Sequence, residues 1–297
     1  MSSTRPHLMV SDQPDPEFEG QHVVIAGGFR GMGRELARLL LQWRARVFLV
    51  GRTLGGEGAV REALSADDSA GGLETLAADL STSEGVEATR VRVERWCEGR
   101  LHHLTVFLGS GRTPFGYDFP VEHWQEVFAV NLFRPVAVVQ ALLPLLTHGQ
   151  GHPSVTLTAA VAGVERVRAP MTYSIAKTAL VAYGNHLADA LVKHGVRVNC
   201  VSPGNVFYEG GRWEELLAER HEEIVEFLDR SVGMNRLGTA AELAWVYAAL
   251  MSPRNSFIRR SKARSSRASA MRPSRACSSR RTLSSLSRAA SACSSRS

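Results

Sequence analysis

A chain of 297 residues with 44% apolar and 7% aromatic side chains fits one domain with an extension, or at most two small ones, and can bury a sizeable core. No stretch approaches the roughly 18 uninterrupted apolar residues of a membrane span, and the polar start lacks the basic-then-apolar order of a secretory signal. The expectation is a soluble cytoplasmic protein without a membrane partner. Cys97, Cys200, Cys277 and Cys293 lie far apart without metal-ligand spacing, which favours free thiols over a disulfide framework or a zinc site. The formal charge of +6 is uneven. Residues 259–297 hold eleven Lys or Arg and no acid, leaving a body of 24 basic and 29 acidic residues.

In chain order, residues 1–20 form a polar segment expected to be flexible, and 21–258 form the domain. His22–Ala26 is a strand candidate, followed by a glycine-rich turn and a helix over Gly33–Trp43. Arg46–Val50 is a second strand, and its run Val47-Phe48-Leu49-Val50 suits burial on both faces of a parallel sheet. A helix over Glu57–Ser65, a strand over Leu73–Ala78 and a helix over Ser83–Trp96 follow, the last with a capping box of Ser81 and Glu84. Strands at His103–Gly109, Ser154–Thr158 and Val196–Val201 alternate with helices at Val121–Leu146 and Thr172–His194. Such alternation implies right-handed crossovers and a single α/β domain with a doubly wound parallel sheet. The charged, amphipathic insertion of about 208–238 reads as a lid over a ligand crevice, or as a surface hairpin. A second capping box, Thr239 with Glu242, opens the next helix. From Arg259 the composition collapses to Ser, Arg and Ala at 31 of 39 positions, which cannot offset ordering entropy and reads as disordered.

The turn Ala26-Gly27-Gly28-Phe29-Arg30-Gly31-Met32-Gly33 joins the first strand to the first helix. Glycines there let backbone approach a pyrophosphate, and the helix N-terminus supplies free N–H groups. At the end of the second strand stands Gly51-Arg52-Thr53, with no acid to repel a 2′-phosphate. Arg52 and Arg30 can pair with that phosphate and Thr53 can donate to it, so the cofactor expected is NADP(H). The alternative is that both arginines are surface decoration.

The turn resembles the T-G-x-x-x-G-x-G of the short-chain dehydrogenase/reductase family. Further landmarks follow in family order: Asp79-Leu80, Asn131, Tyr173-Ser174-Ile175-Ala176-Lys177 and Asn199-Cys200-Val201-Ser202-Pro203-Gly204. The resemblance spans about Phe18 to Ile258. It implies a Rossmann fold in which Gly27, Gly31, Met32, Gly33, Asp79, Leu80, Gly109, Pro203, Gly204 and Val206 line the dinucleotide, with Asp79 at the adenine. It also implies that Tyr173 transfers the proton, that Lys177 lowers the phenol pKa and binds the nicotinamide ribose, and that Asn131 holds a relay water. Tyr173 and Lys177, one turn apart, share a helix face.

The sequence departs from the family at several places. Ala160 falls where a catalytic Ser is usual, and losing such a donor costs on the order of a hundredfold to a thousandfold in rate. Thr158 or Ser110 could take its place. Leu108-Gly109-Ser110-Gly111 replaces N-N-A-G, Ala26 replaces Thr, and Tyr208 stands where a Thr meets the nicotinamide amide. The family's final strand is replaced by the Ser/Arg/Ala tail, a composition that GC-rich DNA gives when read out of frame, so the last strand is expected to be missing. The leading reading is an NADPH-dependent ketoreductase acting on a fairly apolar small-molecule carbonyl, with Phe115, Tyr208, Trp213 and Phe227 as candidate wall residues. Fatty-acyl, steroid, sugar and polyketide substrates stay open, the last with antibiotic biosynthesis as a setting. A non-catalytic NADP(H)-binding protein is the alternative. A nucleic-acid arm is disfavoured because the tail lacks aromatics, and a homo-oligomer is implied by family analogy.

Overall fold

The structure is a computed structural model and describes residues 15–52, 56–65, 72–147, 152–257 and 262–264. Its strands in chain order are β1 (His22–Ala26), β2 (Arg46–Gly51), β3 (Leu73–Ala77), β4 (His103–Val106), β5 (Ser154–Thr158), β6 (Arg197–Ser202), β7 (Val206–Phe207), β8 (Gly238–Thr239) and β9 (Lys262–Arg264). All but β7 and β8 form one parallel sheet in the order β3-β2-β1-β4-β5-β6-β9, and β7 pairs with β8 alone. The helices are α1 (Gly31–Gln42), α2 (Gly56–Ser65), α3 (Ser83–Trp96), α4 (Val121–Phe128), α5 (Arg134–Thr147), α6 (Met171–Leu191), α7 (Arg212–Glu219), α8 (His221–Ser231) and α9 (Ala240–Met251).

Parallel strands covered on both faces should be apolar on both, and β1 is buried throughout. The alternation of side chains divides the core into two layers. Val24, Phe48, Leu104, Val155 and Val198 pack with Val138, Leu142 and Leu180 from α5 and α6. Val23, Ile25, Val47 and Leu49 pack with Leu36 and Leu40 of α1 and Tyr247 and Met251 of α9. On that second face, further along the sheet, the register brings His103, Ser154 and Arg197 into one row and Thr105, Thr156 and Asn199 into the next. Arg197 answers its own burial by donating to the carbonyls of Leu250 and Met251, each at 2.6 Å. These are C-terminal carbonyls of α9 without a helical partner.

Several expectations are corrected. The last strand is not missing, since Cys200, Val201 and Ser202 pair with Lys262, Ala263 and Arg264. The rest of the tail lies outside the described residues. Of the segment expected to be flexible, 1–14 lie outside them too, but within 15–20 Phe18 is packed into the core. Pro16–Phe18 forms a 3-10 turn whose Phe18 is 1% exposed, with its ring 5.3 Å from that of Trp43. The cap of α3 is Thr82, whose hydroxyl accepts from Gly85 N–H, and not Ser81, which donates to Asp79. The Thr239–Glu242 box is formed at α9. The fourth strand ends at Val106, three residues early. The helix read over Val121–Leu146 is broken by a π turn, Ala129–Phe133. The helical stretch Val121–Thr147 is long and apolar enough to cross a membrane, but Val138, Val139, Leu142, Leu145 and Leu146 belong to the core. Cys97 and Cys200 are buried thiols, not joined in a disulfide.

Candidate functional site

The sheet order reverses between β1 and β4, so a crevice opens there at the C-terminal edge of the strands, where ligands of such sheets bind. The glycine turn forms one wall. Gly27 and Gly28 N–H groups donate to Val50 O at 2.8 and 3.1 Å. A Cβ at Gly33 would stand 2.8 Å from Gly27 O, so only glycine lets α1 start this close to the strand. The N-cap residue Arg30 makes no side-chain capping bond, and the helix presents its N-terminal N–H groups and positive dipole end there. Met32 is half-buried and Leu80 is buried.

At the end of β2, a Cβ at Gly51 would lie 2.7 Å from Cγ of the Phe29 ring. The position that would carry an acid has no room for a side chain unless Phe29 moves. Arg52 follows it, exposed, and Thr53 lies outside the described residues. Asp79 accepts from Ser81 N–H at 2.9 Å and Ser81 Oγ–H at 2.7 Å. Those bonds hold its carboxyl below the usual range, with Arg134 and Arg52 adding to them. Arg30 does not join Arg52. Its guanidinium donates to Gly210 O at 3.4 Å.

The opposite wall is built on α6, the π turn and the segment after β4. Lys177 is 3% exposed, and Nζ donates to Thr158 O at 2.9 Å and Leu108 O at 3.3 Å. Gly163 lets the turn after β5 settle on α6, since a Cβ there would meet Lys177 backbone at 2.7 Å. Asn131 projects from the π turn, an irregularity common at functional sites. Its Oδ1 accepts from Ser110 N–H at 2.9 Å, and Nδ2 donates to Ser110 O at 3.1 Å and Val127 O at 3.0 Å. The amide thus fixes the Ser110 backbone from both ends. Gly109 has φ +146, and a Cβ there would lie 2.6 Å from Lys177 Nζ and 2.9 Å from Asn131 Oδ1. A Cβ at Gly111 would stand 3.7 Å from Tyr173 Cζ. The segment 109–111 therefore runs from the ammonium to the phenol.

Burial pushes the Tyr173 phenol up to about 12, with Tyr208 adding to it, and pushes the Lys177 ammonium down to about 8. The expected lowering of the phenol by Lys177 is not found here. The ammonium is turned to two carbonyls, and desolvation dominates both groups.

The profile of the family described as Enoyl-(Acyl carrier protein) reductase matches residues 27–262. The chain belongs to the short-chain dehydrogenase/reductase family. Isoepoxydon dehydrogenase of Penicillium expansum is 30% identical over 250 residues, 81% of this chain and 91% of that protein. The 3-oxoacyl-[acyl-carrier-protein] reductase of Bos taurus is 27% identical over 74% of this chain and 86% of its own. Among solved structures, L-sorbose reductase of Gluconobacter frateurii, complexed with NADPH and L-sorbose, superposes with TM-score 0.74 at 23% identity. It covers 82% of this chain and 94% of its own. The Pseudomonas aeruginosa RhlG/NADP complex superposes with TM-score 0.72 at 25% identity, covering 84% and 98%. The chain is thus an oxidoreductase of short-chain dehydrogenase/reductase type.

Ala160 is buried at the N-cap of the 3-10 turn Val161–Gly163, and Val161 N–H donates to Pro203 O at 2.8 Å. Thr158 does not stand in for it, because its hydroxyl lies 2.7 Å from the Tyr247 hydroxyl on α9. Ser110 is half-buried, and its Oγ accepts from Arg112 N–H at 3.2 Å. Val206 is buried in β7, and Gly204 is half-buried. Of the candidate wall residues, Trp213 and Phe227 stack on each other at 5.8 Å between α7 and α8, and Phe115 is exposed.

Sequence reasoning missed three contacts here. They are Phe29 over Gly51, the Arg112–Glu215 ion pair, and the contacts of His123 Nε2 with Thr113 and Thr172 hydroxyls at 3.1 and 3.4 Å. The Arg112–Glu215 and His123–Thr172 contacts join residues 103 and 49 apart in sequence, and none of these contacts leaves a local motif.

Proposed function

We propose that the protein is an NADP(H)-dependent reductase that converts a carbonyl of a fairly apolar small molecule to an alcohol. The observation that carries this reading is the facing of two walls across one crevice. One is a glycine turn with no room for Cβ atoms, and the other is the Lys177–Gly109–Gly111–Tyr173 line. Gly27, Gly31, Met32 and Gly33 would hold the pyrophosphate. Arg52 would meet the 2′-phosphate, and the exclusion of an acid at Gly51 by Phe29 supports NADP(H) over NAD(H). Asp79, Leu80, Gly109, Pro203, Gly204 and Val206 complete the proposed cofactor site.

When bound, the reduced nicotinamide supplies the hydride. Tyr173 gives its phenolic proton to the substrate oxygen, and a phenol with a raised pKa is fully protonated for that step at neutral pH. Lys177 would hold the nicotinamide ribose. Asn131 fixes Ser110 rather than leaving its side-chain amide free for a water. Ser110 is the hydroxyl that stands in for Ala160. Its Oγ accepts from Arg112 N–H, which leaves its own proton free to donate toward a carbonyl oxygen. The relatives named for isoepoxydon and for 3-oxoacyl groups fit a substrate that interconverts alcohol and carbonyl, in fatty-acyl or secondary metabolism.

The second reading, a non-catalytic NADP(H)-binding protein, is favoured by Ala160 and by the engagement of Thr158 with Tyr247. Incubation with NADPH and a panel of aryl, cyclic and acyl-thioester ketones separates the two. Consumption of NADPH in proportion to alcohol formed supports the reductase. Tight NADPH binding with no alcohol from any ketone supports the second reading.

A further inference from the structure

The proton donor and the hydroxyl proposed for the carbonyl oxygen stand on supports of unequal stiffness. Tyr173 is the third residue of α6, a 21-residue helix that holds it through its own backbone bonds. Ser110 stands on the irregular segment between β4 and α4, where a side chain keeps its aim only if its neighbours are tethered. One tether is the Asn131 amide, which takes both backbone groups of Ser110. The other lies three residues on. Thr113 N–H donates to Gly111 O at 3.0 Å, and the Thr113 hydroxyl lies 3.1 Å from His123 Nε2 and 3.4 Å from the Thr172 hydroxyl. His123 Nε2 is also 3.4 Å from that Thr172 hydroxyl, so the three groups close a triangle.

Each corner of the triangle comes from a different element. Thr172 is the second residue of α6, next to Tyr173, and its side chain is fully buried. A buried hydroxyl needs a partner, and among the described residues Thr172 has His123 and Thr113. His123 is the third residue of α4, with its N–H donating to Pro120 O at 3.1 Å. Its ring stacks on Phe119 at 4.4 Å and 24°, which holds the imidazole plane. Nε2 accepts from the hydroxyls in one tautomer and donates to one of them in the other, so the triangle closes either way.

We propose that His123 is a positioning residue for carbonyl reduction, tying Thr113 to the start of α6 so that the Ser110 and Tyr173 hydroxyls stay aimed at one substrate oxygen. The proposal rests on the reductase reading above and on the place of Ser110 in it. His123 acts through the loop and not on the substrate. Because Ala160 has no hydroxyl to offer at the end of β5, the donor stands on a loop, where an ångström of drift costs on the order of a hundredfold in rate. Arg112, whose N–H orients the Ser110 hydroxyl, lies between the two tethers. Asn131 fixes the segment at Ser110, and the triangle fixes it just beyond Arg112.

Steady-state ketone reduction by the full chain tests this, with NADPH binding and denaturant titration run alongside. His123→Leu should lower kcat by about tenfold while KM for the ketone and the NADPH dissociation constant stay within about threefold, since aim and not binding is lost. His123→Gln should recover most of kcat, because a side-chain amide can again bond the threonine hydroxyls. Thr113→Val removes one corner and keeps the branched shape; it should show the same loss of kcat, and it carries the test if His123→Leu does not fold. In the Ser110→Ala background, His123→Leu should lower kcat by less than about a further twofold, because the hydroxyl it aims is already gone. Wild-type kcat in His123→Leu and Thr113→Val, a His123→Gln as slow as His123→Leu, or the full loss repeated in the Ser110→Ala background would overturn the positioning role and leave the reductase reading intact. No alcohol from any ketone with wild type would overturn both.

Discussion

The Thr158 hydroxyl lies 2.7 Å from the Tyr247 hydroxyl, buried between β5 and α9. Of the two hydroxyls that could replace the absent one at Ala160, this bond commits Thr158 to the core. Thr158→Val is therefore expected to cost stability, about 1 kcal/mol for a lost buried hydrogen bond, and to change turnover by less than about twofold. Ser110→Ala should lower turnover by roughly tenfold to a hundredfold, as loss of an oxyanion donor does. Denaturant titration and steady-state kinetics on both variants check this. A catalytic defect larger in Thr158→Val than in Ser110→Ala reverses the assignment. Ala160→Ser should raise turnover of wild type and rescue Ser110→Ala, because either hydroxyl can polarise the carbonyl.

The proposed cofactor preference rests on the crowding of Gly51 by Phe29 and on Arg52 beyond it. NADPH is expected to bind more than about tenfold tighter than NADH, and Arg52→Ala to remove most of that difference, since a guanidinium–phosphate bond is charge-assisted. Fluorescence titration of both dinucleotides reads the ratio. Gly51→Asp should weaken NADPH and also destabilise the fold, because its Cβ meets the Phe29 ring.

Acid stability depends on the opposite end of the sheet. His22 is buried against Trp96 at 4.8 Å, with both ring nitrogens lacking a hydrogen-bond partner among the described residues. Burial, then Arg46 and His102, push it down to about 4, with Glu98 opposing and Arg100 adding. Its neutral form is favoured by folding, so its contribution is complete above pH 6.5 and is lost as pH falls from 6.5 toward 4. At 1.36 kcal/mol per unit this amounts to at most roughly 3 kcal/mol. His102 and His103 shift in the same direction. Urea titrations between pH 7 and pH 4 should show a shallower loss for His22→Leu than for wild type, and equal slopes would refute the assignment.

The doubly wound sheet was legible because β1 and β2 carry compact apolar runs beside segments of clear helical period. The glycine turn and the Tyr173–Lys177 spacing were legible because both are local patterns. The final strand was not, since Lys262-Ala263-Arg264, which pairs with β6, offers no apolar alternation. Phe18 was hidden in a polar segment whose composition suggested flexibility. The π turn at Asn131 left no mark in a helix-period sequence. The engagement of Thr158 depends on Tyr247, 89 residues away, and the crowding of Gly51 on the orientation of one ring. Such contacts are set by packing, and no spacing rule encodes them.

The most direct test of the account is Tyr173→Phe, assayed for NADPH-dependent ketone reduction and for NADPH binding side by side. On the proposed reading the phenolic proton is the one transferred, and the ring contributes little to holding the dinucleotide. Reduction is expected to fall by at least about a hundredfold, the contribution of a general acid, while the NADPH dissociation constant stays within about threefold, less than the tenfold that 1.4 kcal/mol would give. Retention of most of the turnover by Tyr173→Phe would contradict the account.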